Sequence, residues 1–522
     1  MVELKKLAPV ITLLTLSLGA HAGTATPGQT LVLHLKTRAP IETLAANAIE
    51  YGVTYSPDQI RRLIGPSEDD YQRLLSELSS EGYEIVSESA ARLTIVVRAS
   101  ANRARNTFIL RQGDTQPVIP AHLDLIDTVV GLQNSAKRVP HYKISRNPIA
   151  PVQMEFAASG AHPEAAAINS GGVLPATIKT LYQFDPIYTA NHYGQNQDIA
   201  IATYDGVKLK DITDYYHKIA LPMIPTVDVV SFNGVAAYSA DSAIESELDA
   251  EFSGMIAPGA KIHIFASAEN STAGEQQMFT AILDDNRAKV VNYSWGSCEA
   301  QEGDLTTTDR IFARAVAQGV NITVASGDSG DFGCSSLLER APGYPGSSAY
   351  IVSVGGTKLV NKNGVFETAW SRSSSGLSAS GGGISQNFVR PAYQSNLPAA
   401  YGMRSYPDVA LNADPNSGQA AWTYDPSNPT APKWIVMGGT SIAAPQWAGF
   451  LALLNEGRSK RGLKPIGFIN PRIYGYAATV KTSVMTDVTA GNNGYPAGRG
   501  WDPVTGWGSL KAAPLFRQLL AP

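Results

Sequence analysis

The chain opens on a basic, then apolar, then small-residue pattern. Lys5 and Lys6 precede an apolar stretch from Leu7 to about Leu18, and Ala20-His21-Ala22 follow. This order predicts a secretory signal peptide over residues 1–22, too short to span a bilayer. No later apolar run is long enough for a membrane helix. From about Leu31 to Arg111 the pattern is that of a small α/β unit. "TLVLHLKTR" and "ARLTIVVRAS" alternate or run apolar like strands, whereas "SPDQIRRLIG" and "SEDDYQRLLSELSSEGYEIV" carry helical periodicity. The second of these helices opens on Ser67, with Asp70 three residues on, and stops near Gly82. Residues 113–172 are rich in Ala, Pro, Asn and Ser and read as a linker.

A larger unit begins near Leu174. "DIAIATYDG", "KIHIFASA", "AKVVNYSWG" and "NITVASGDSG" are short β-branched strands. Helical segments such as "DDNRA" and "TDRIFARAVAQG" separate them. Alternation of this kind predicts an α/β fold, a parallel sheet with helices on both faces. Function in such sheets gathers at the carboxyl ends of the strands, where "SWG" and "SGDSG" lie.

Composition narrows the class. At 522 residues with 44% hydrophobic and 16% charged, the chain has material for a large core and more than one domain. Forty-seven glycines and thirty-two prolines imply many turns. A net charge of −4, with no basic cluster, gives no case for a nucleic-acid partner. Export makes the two cysteines interpretable: Cys298 and Cys334 could pair in an oxidising compartment, the alternative being two separate thiols.

Several residues are candidates for chemistry. "SIAAPQWAGFLALLN", from Ser441, is apolar nearly all round and predicts a buried helix with Ser441 at its start. There the helix dipole favours developing negative charge, although an ordinary capping serine fits the same position. The Gly438-Gly439-Thr440 lead-in would let a substrate backbone approach. A serine nucleophile needs a base. His192, His217 and His263 have no glycine-rich turn or helix start to aim them. Carboxylates are better placed. "DSAIESELDAEFSGM" reads as a helix with an apolar stripe at Ile244, Leu248, Phe252 and Met255. Glu245 and Asp249 lie one turn apart beside it, and Glu247 and Glu251 flank its other edge. Periodicity does not choose between these pairs, and a solvated acidic face is the plain alternative. Crowding and burial would raise such carboxyls. Asp328, between Gly327 and Gly330, would either cap a turn or, protonated, donate to an oxyanion. Asp487 and Asp502 bracket a glycine-rich loop suited to a hard cation or to a plain Asx-turn.

Together these motifs resemble the sedolisin family of serine-carboxyl peptidases. "GGTSIAAP" is similar to the family's nucleophile motif and implies Ser441. "ESELD" resembles its Glu-x-x-x-Asp helix, which implies Glu245 as base and Asp249 as its partner. "SGDSG" implies Asp328 as the oxyanion acid, and "SWG", Ser294, Trp295 and Gly296, a substrate-binding strand edge. "TDV" and "GRGWD" imply one Ca²⁺ held by Asp487 and Asp502 with the carbonyls of Val488, Gly498 and Gly500. The implied fold is subtilisin-like. Subtilisins themselves use a His-Gly-Thr helix start, which this chain lacks, and an Asn where Asp328 stands. The resemblance further implies a propeptide over 23–112 that inhibits its own enzyme. A processing region then covers 113–172, with cleavage between about Ala150 and Leu174, and a peptidase domain covers 173–522. The expectation is a secreted, acid-active, self-processing endopeptidase acting on proteins, in the medium or the periplasm, as a monomer. A histidine-based peptidase, an exported binding protein and a calcium-dependent structural protein are the alternatives.

Overall fold

The computed structural model describes residues 28–521 apart from 112–115, 134–136, 146–171, 240–242, 334–338, 362–363 and 373–375. The signal peptide, Cys334 and most of the expected processing window lie outside the described residues. Among the described residues no helix is long and apolar enough to cross a membrane.

The amino-terminal unit is an antiparallel sheet ordered Glu84–Glu88, Thr94–Ala99, Gln29–Leu35, Ile126–Val130. Ser56 and Ser67 cap the helices Pro57–Ile64 and Glu68–Ser80, each accepting from the backbone N–H three residues on. The fourth strand comes from inside the segment read as linker, so this unit extends past Arg111. The first strand runs apolar because both of its faces are covered. Leu31, Leu33 and Leu35 pack on Tyr71, Leu74 and Leu78. Val32, on the other face, packs with Val96, Val130 and Ala273 of the larger unit. His34 lies on that second face too, its ring bonded to Gln276 Oε1 at 2.8 Å. An unforeseen helix, Ile41–Tyr51, packs on the helix Leu305–Ala317 of the larger unit through Ile41, Leu44 and Ala45.

The larger unit is built on a ten-stranded sheet. Its parallel centre runs Val409–Asn412, Val352–Asn361, Asn321–Ala325, Val290–Tyr293, Asp198–Thr203, Lys261–Ala266, Thr226–Val229. Period-two alternation sends neighbouring residues to opposite layers. Ile199 and Ile201 join the core under the helices Ala243–Ile256 and Thr440–Ser459, whereas Ala200 and Ala202 join that under Thr272–Asp285 and Leu305–Ala317. The "DDNRA" segment is only the end of a longer helix, Thr272–Asp285, which Asn286 closes in the left-handed conformation. Thr440–Ser459 lies against the acidic helix Ala243–Ile256, where a Cβ on Gly449 would come within 2.6 Å of Ile256 Cβ. That close approach buries the facing sides of both helices. Every residue from 243 to 256 is buried, so the acidic helix has no solvated face.

Candidate active site

The site assembles where strands of the parallel sheet end. Val290–Tyr293 delivers Ser294, Asn321–Ala325 delivers Asp328, and Gly439 starts the helix that carries Ser441. Ser441 is fully buried, as are Glu245 and Asp249, and Asp328 is 3% exposed. Gly439 has φ of 103°, a conformation that favours glycine. A Cβ there would collide with both Asp328 Oδ2 and the carbonyl oxygen of His141, so those two oxygens face one point.

The carboxyl groups divide their hydrogen bonds unequally. Asp328 Oδ1 accepts from the Thr440 N–H at 2.8 Å and from Thr440 Oγ1 at 3.0 Å, whereas buried Oδ2 has no partner. Burial pushes the Asp328 carboxyl up to about 6, against smaller opposing effects of Lys143 and Thr440. Asp249 Oδ1 accepts from Ser294 Oγ at 2.6 Å, and Asn292 Nδ2 donates to that hydroxyl at 3.1 Å. Thr323 Oγ1 in turn donates to Asn292 Oδ1 at 2.9 Å. Among the described residues, no hydrogen bond of good geometry reaches buried Asp249 Oδ2 or either oxygen of Glu245. Burial, then the Asp249 charge, hold Glu245 well above the usual carboxylate range, although nearby Ser441 favours its charged form. Burial likewise raises Asp249. Two buried carboxyls this close favour a shared proton. The Ser441 hydroxyl itself donates to the Ser294 carbonyl at 3.4 Å, a long contact.

Glu247 and Glu251 lie elsewhere. Glu247 accepts from Thr423 Oγ1 and Glu251 from the Trp422 N–H, each at 3.3 Å. Burial raises both, Glu247 to about 8. The geometry thus gathers the pair Glu245 and Asp249 with Ser441 and leaves the other pair aside. The three weighed histidines are also elsewhere. His263 bridges Asp198 and Asp228, His192 packs on Phe516, and His217 is exposed on its helix.

The amino-terminal unit sends a segment through this site. Val139–Pro140 pairs antiparallel with Trp295–Cys298, Pro140 opposite Trp295 and Val139 opposite Gly296. Lys143–Ile144 pairs with the strand Asn428–Gly438. Between them, the His141 N–H donates to the Ser294 carbonyl at 3.1 Å and the Ser441 N–H donates to the His141 carbonyl at 2.9 Å. Edge pairing of this kind is how an extended peptide is held by main-chain bonds alone. The His141 ring faces Gly296, and burial lowers it to about 3.

Sequence reasoning missed Asn292, Thr440 and this segment. Asn292 carried a signal, being a polar residue inside an apolar strand.

The glycine-rich loop fits a hard cation by donor chemistry. Asp487 accepts from the Gly500 N–H, and Asp502 from the N–H groups of Gly498, Val504 and Thr505. No ion pair engages either carboxylate among the described residues. Burial pushes Asp502 up to about 6. No described residue is seen donating to the carbonyls of Val488, Gly498 or Gly500. Among the described residues no cluster of three or more acidic, His or Cys side chains forms a metal centre, so the carbonyls would be needed. Cys298 is buried on its strand, whereas Cys334 lies outside the described residues.

The Subtilase family profile matches residues 232–508. Sedolisin of Pseudomonas sp. (strain 101) is 30% identical, over 92% of this chain and 85% of that protein. Kumamolisin of Bacillus sp. (strain MN-32) is 32% identical, over 77% and 72% respectively. Among solved structures, Pseudomonas sedolisin complexed with two molecules of pseudo-iodotyrostatin superposes with a TM-score of 0.58 at 31% identity. That match covers 67% of this chain and 98% of the other.

Proposed function

The chain belongs to the sedolisin family of serine-carboxyl peptidases, and from that premise we propose an exported endopeptidase, active in acid and made as a self-processing zymogen. The observation that carries the reading is the convergence of Ser441 and Asp328 on one peptide carbonyl, that of His141, with Glu245 beside Ser441. Ser441 Oγ attacks the carbonyl carbon and its proton passes to Glu245. Asp249 shares the charge on Glu245. With Oδ1 committed to Ser294, Oδ2 is the oxygen free to carry a proton. The oxyanion receives hydrogen bonds from the Ser441 N–H and from protonated Asp328 Oδ2. Glu245 then gives its proton to the departing amine, leaving an acyl group on Ser441. Water attacks the ester while Glu245 takes its proton, and Glu245 then returns that proton to Ser441 Oγ as the carboxylic acid product leaves. A glutamate base suits low pH, where a histidine would be protonated.

The peptide bond presented here is His141–Tyr142, so the first self-cleavage is assigned to it. A later cut would fall within Ala150–Leu174. A chain running on past both ends of the cleft argues for cutting inside proteins rather than only at their ends. One Ca²⁺ on Asp487, Asp502 and the carbonyls of Val488, Gly498 and Gly500 would neutralise the loop and lock it. A Cys298–Cys334 disulfide would tie the loop after "SWG" to the one after "SGDSG". A monomer is expected.

The test incubates the purified full chain at pH 3 to 8 beside Ser441→Ala and Glu245→Ala, following chain length and digestion of denatured protein. Wild type should shorten and digest in acid while both variants stay intact. Digestion that peaks near neutrality and survives Glu245→Ala would put the base elsewhere.

A further inference from the structure

Arg138 is the residue through which the segment enters the cleft, and its side chain is fully buried in the larger unit. Its Nη2 lies 2.7 Å from Glu275 Oε2 and 2.9 Å from Glu302 Oε2, and its Nη1 lies 3.2 Å from Thr272 Oγ1. The side chain of Asn270 brackets the backbone of Arg138. Oδ1 accepts from its N–H at 2.8 Å and Nδ2 donates to its carbonyl at 2.9 Å. The pocket is itself braced. Glu275 Oε1 accepts from the Tyr293 hydroxyl at 2.6 Å, which meets the Tyr204 hydroxyl at 2.9 Å. Glu302 Oε1 accepts from Ser297 Oγ. These residues belong to the larger unit and remain when the segment leaves.

We propose that Asn270, Thr272, Glu275 and Glu302 form a subsite selecting an arginine side chain at the fourth residue on the acyl side of the cleaved bond. The assignment rests on the peptidase reading, because the count runs from His141. Asn270 makes only backbone bonds and takes any residue. The two carboxylates read the side chain, since a second negative charge beside one guanidinium leaves the pocket in want of a cation. One nitrogen reaching both glutamates while the other reaches Thr272 suits the planar guanidinium fork better than a lysine ammonium.

The test uses acid-processed enzyme and internally quenched peptides with the core Arg-Val-Pro-His-Tyr, replacing the Arg by Lys, Gln or Ala. Cleavage of the Arg peptide should exceed that of the Gln peptide by about tenfold or more in kcat/KM, with Lys between. Glu302→Gln should narrow that ratio. In parallel, Ser441→Ala cut to the mature form with an external protease is titrated with labelled peptides ending at His, bearing Arg or Gln. Equal cleavage of the Arg and Gln peptides overturns the subsite while leaving the peptidase intact. Arg-dependent binding without cleavage by the wild type leaves the subsite standing and overturns the peptidase reading. Should Glu302→Gln fail to fold, the wild-type peptide series decides alone.

Discussion

On the proposed mechanism, the protonation of Asp328 should set the alkaline limit of turnover. The group is buried, its Oδ1 is occupied by Thr440, and Oδ2 is the only oxygen left to face a carbonyl in the cleft. As a carboxylic acid it donates to the oxyanion; as a carboxylate it repels it. Burial pushes it to about 6 from an ordinary 3.8 with the cleft filled. At pH 4 about 99% of the enzyme therefore has the donor, and at pH 7 about a tenth. This titration alone should lower kcat about tenfold between those values, roughly 1.4 kcal/mol of barrier. The filled cleft is read by kcat rather than kcat/KM. The decisive variant is Asp328→Asn, which keeps the shape, keeps an acceptor for Thr440 and places a neutral N–H donor at Oδ2. Its kcat should lack the fall near pH 6. Asp328→Ala, without a donor, should lose about 10²–10³ in kcat at the acid optimum. Steady-state kcat on a quenched peptide from pH 3 to 8, for all three proteins, decides it. A wild-type fall that Asp328→Asn reproduces unchanged would refute the assignment.

Other consequences concern stability and positioning. Glu247 is raised from 4.5 to about 8 by burial, so its contribution to stability is fully present below 4.5 and is lost as pH rises through 8. At about 1.4 kcal/mol per pH unit the loss is on the order of 5 kcal/mol. Thermal melts of the uncut Ser441→Ala chain should show Tm falling over that window, and adding Glu247→Gln should flatten the fall; an unchanged slope refutes it. Ser294→Ala frees Asp249 Oδ1 and should lower kcat about tenfold while leaving KM nearly unchanged; a loss confined to KM would make Ser294 a substrate contact only. Chelating calcium with EGTA should lower Tm, the stability lost amounting to about 2.7 kcal/mol when calcium had stood at a hundredfold excess over Kd, and Asp502→Asn should abolish the dependence. Melts that ignore EGTA would remove the ion from the loop.

Strong periodicity was legible and backbone pairing was not. The helix Thr440–Ser459 and the parallel strands follow from apolar runs whose burial on all sides leaves no other reading. The acidic helix was legible as a helix, but its environment was misread in the plain alternative. Four carboxyls within seven residues suggest water, and tertiary packing puts them in the core: Gly449 approaches Ile256 closely, and Trp422 and Thr423 cover Glu251 and Glu247. Choosing Glu245 and Asp249 over Glu247 and Glu251 needed the family motif, because both pairs flank the same stripe. The strand Ile126–Val130 and the pairing of 139–144 left no such trace. They are short, and their bonds come from N–H and C=O groups that every residue carries. Arg138 follows Lys137 in a polar stretch with nothing to mark it, and its carboxylate partners lie more than a hundred residues away.

Two kinds of buried charge in this protein bear on the proposed acid activity. Where a charge must persist, it is paired closely: Arg404 and Asp408 meet through two 2.7 Å bonds with neither exposed, and Arg138 meets two glutamates. Along the acidic helix no carboxyl forms an ion pair among the described residues, and the bonds to Glu247 and Glu251 are long, at 3.3 Å. An unpaired carboxylate in such surroundings would cost several kcal/mol, and protonation removes that cost. Glu247 and Glu251 therefore tie the fold to acid for the same physical reason that keeps Asp328 protonated there for the proposed chemistry. The two effects separate by position. Amides at 247 or 251 touch no group that faces the His141 carbonyl and should extend stability toward neutral pH without moving the kcat profile. An amide at 328 should move the profile and leave the 247-dependent melting slope in place. The proposed acid activity would thus be one consequence of burying carboxyls outside ion pairs, expressed once in the cleft and once in the core.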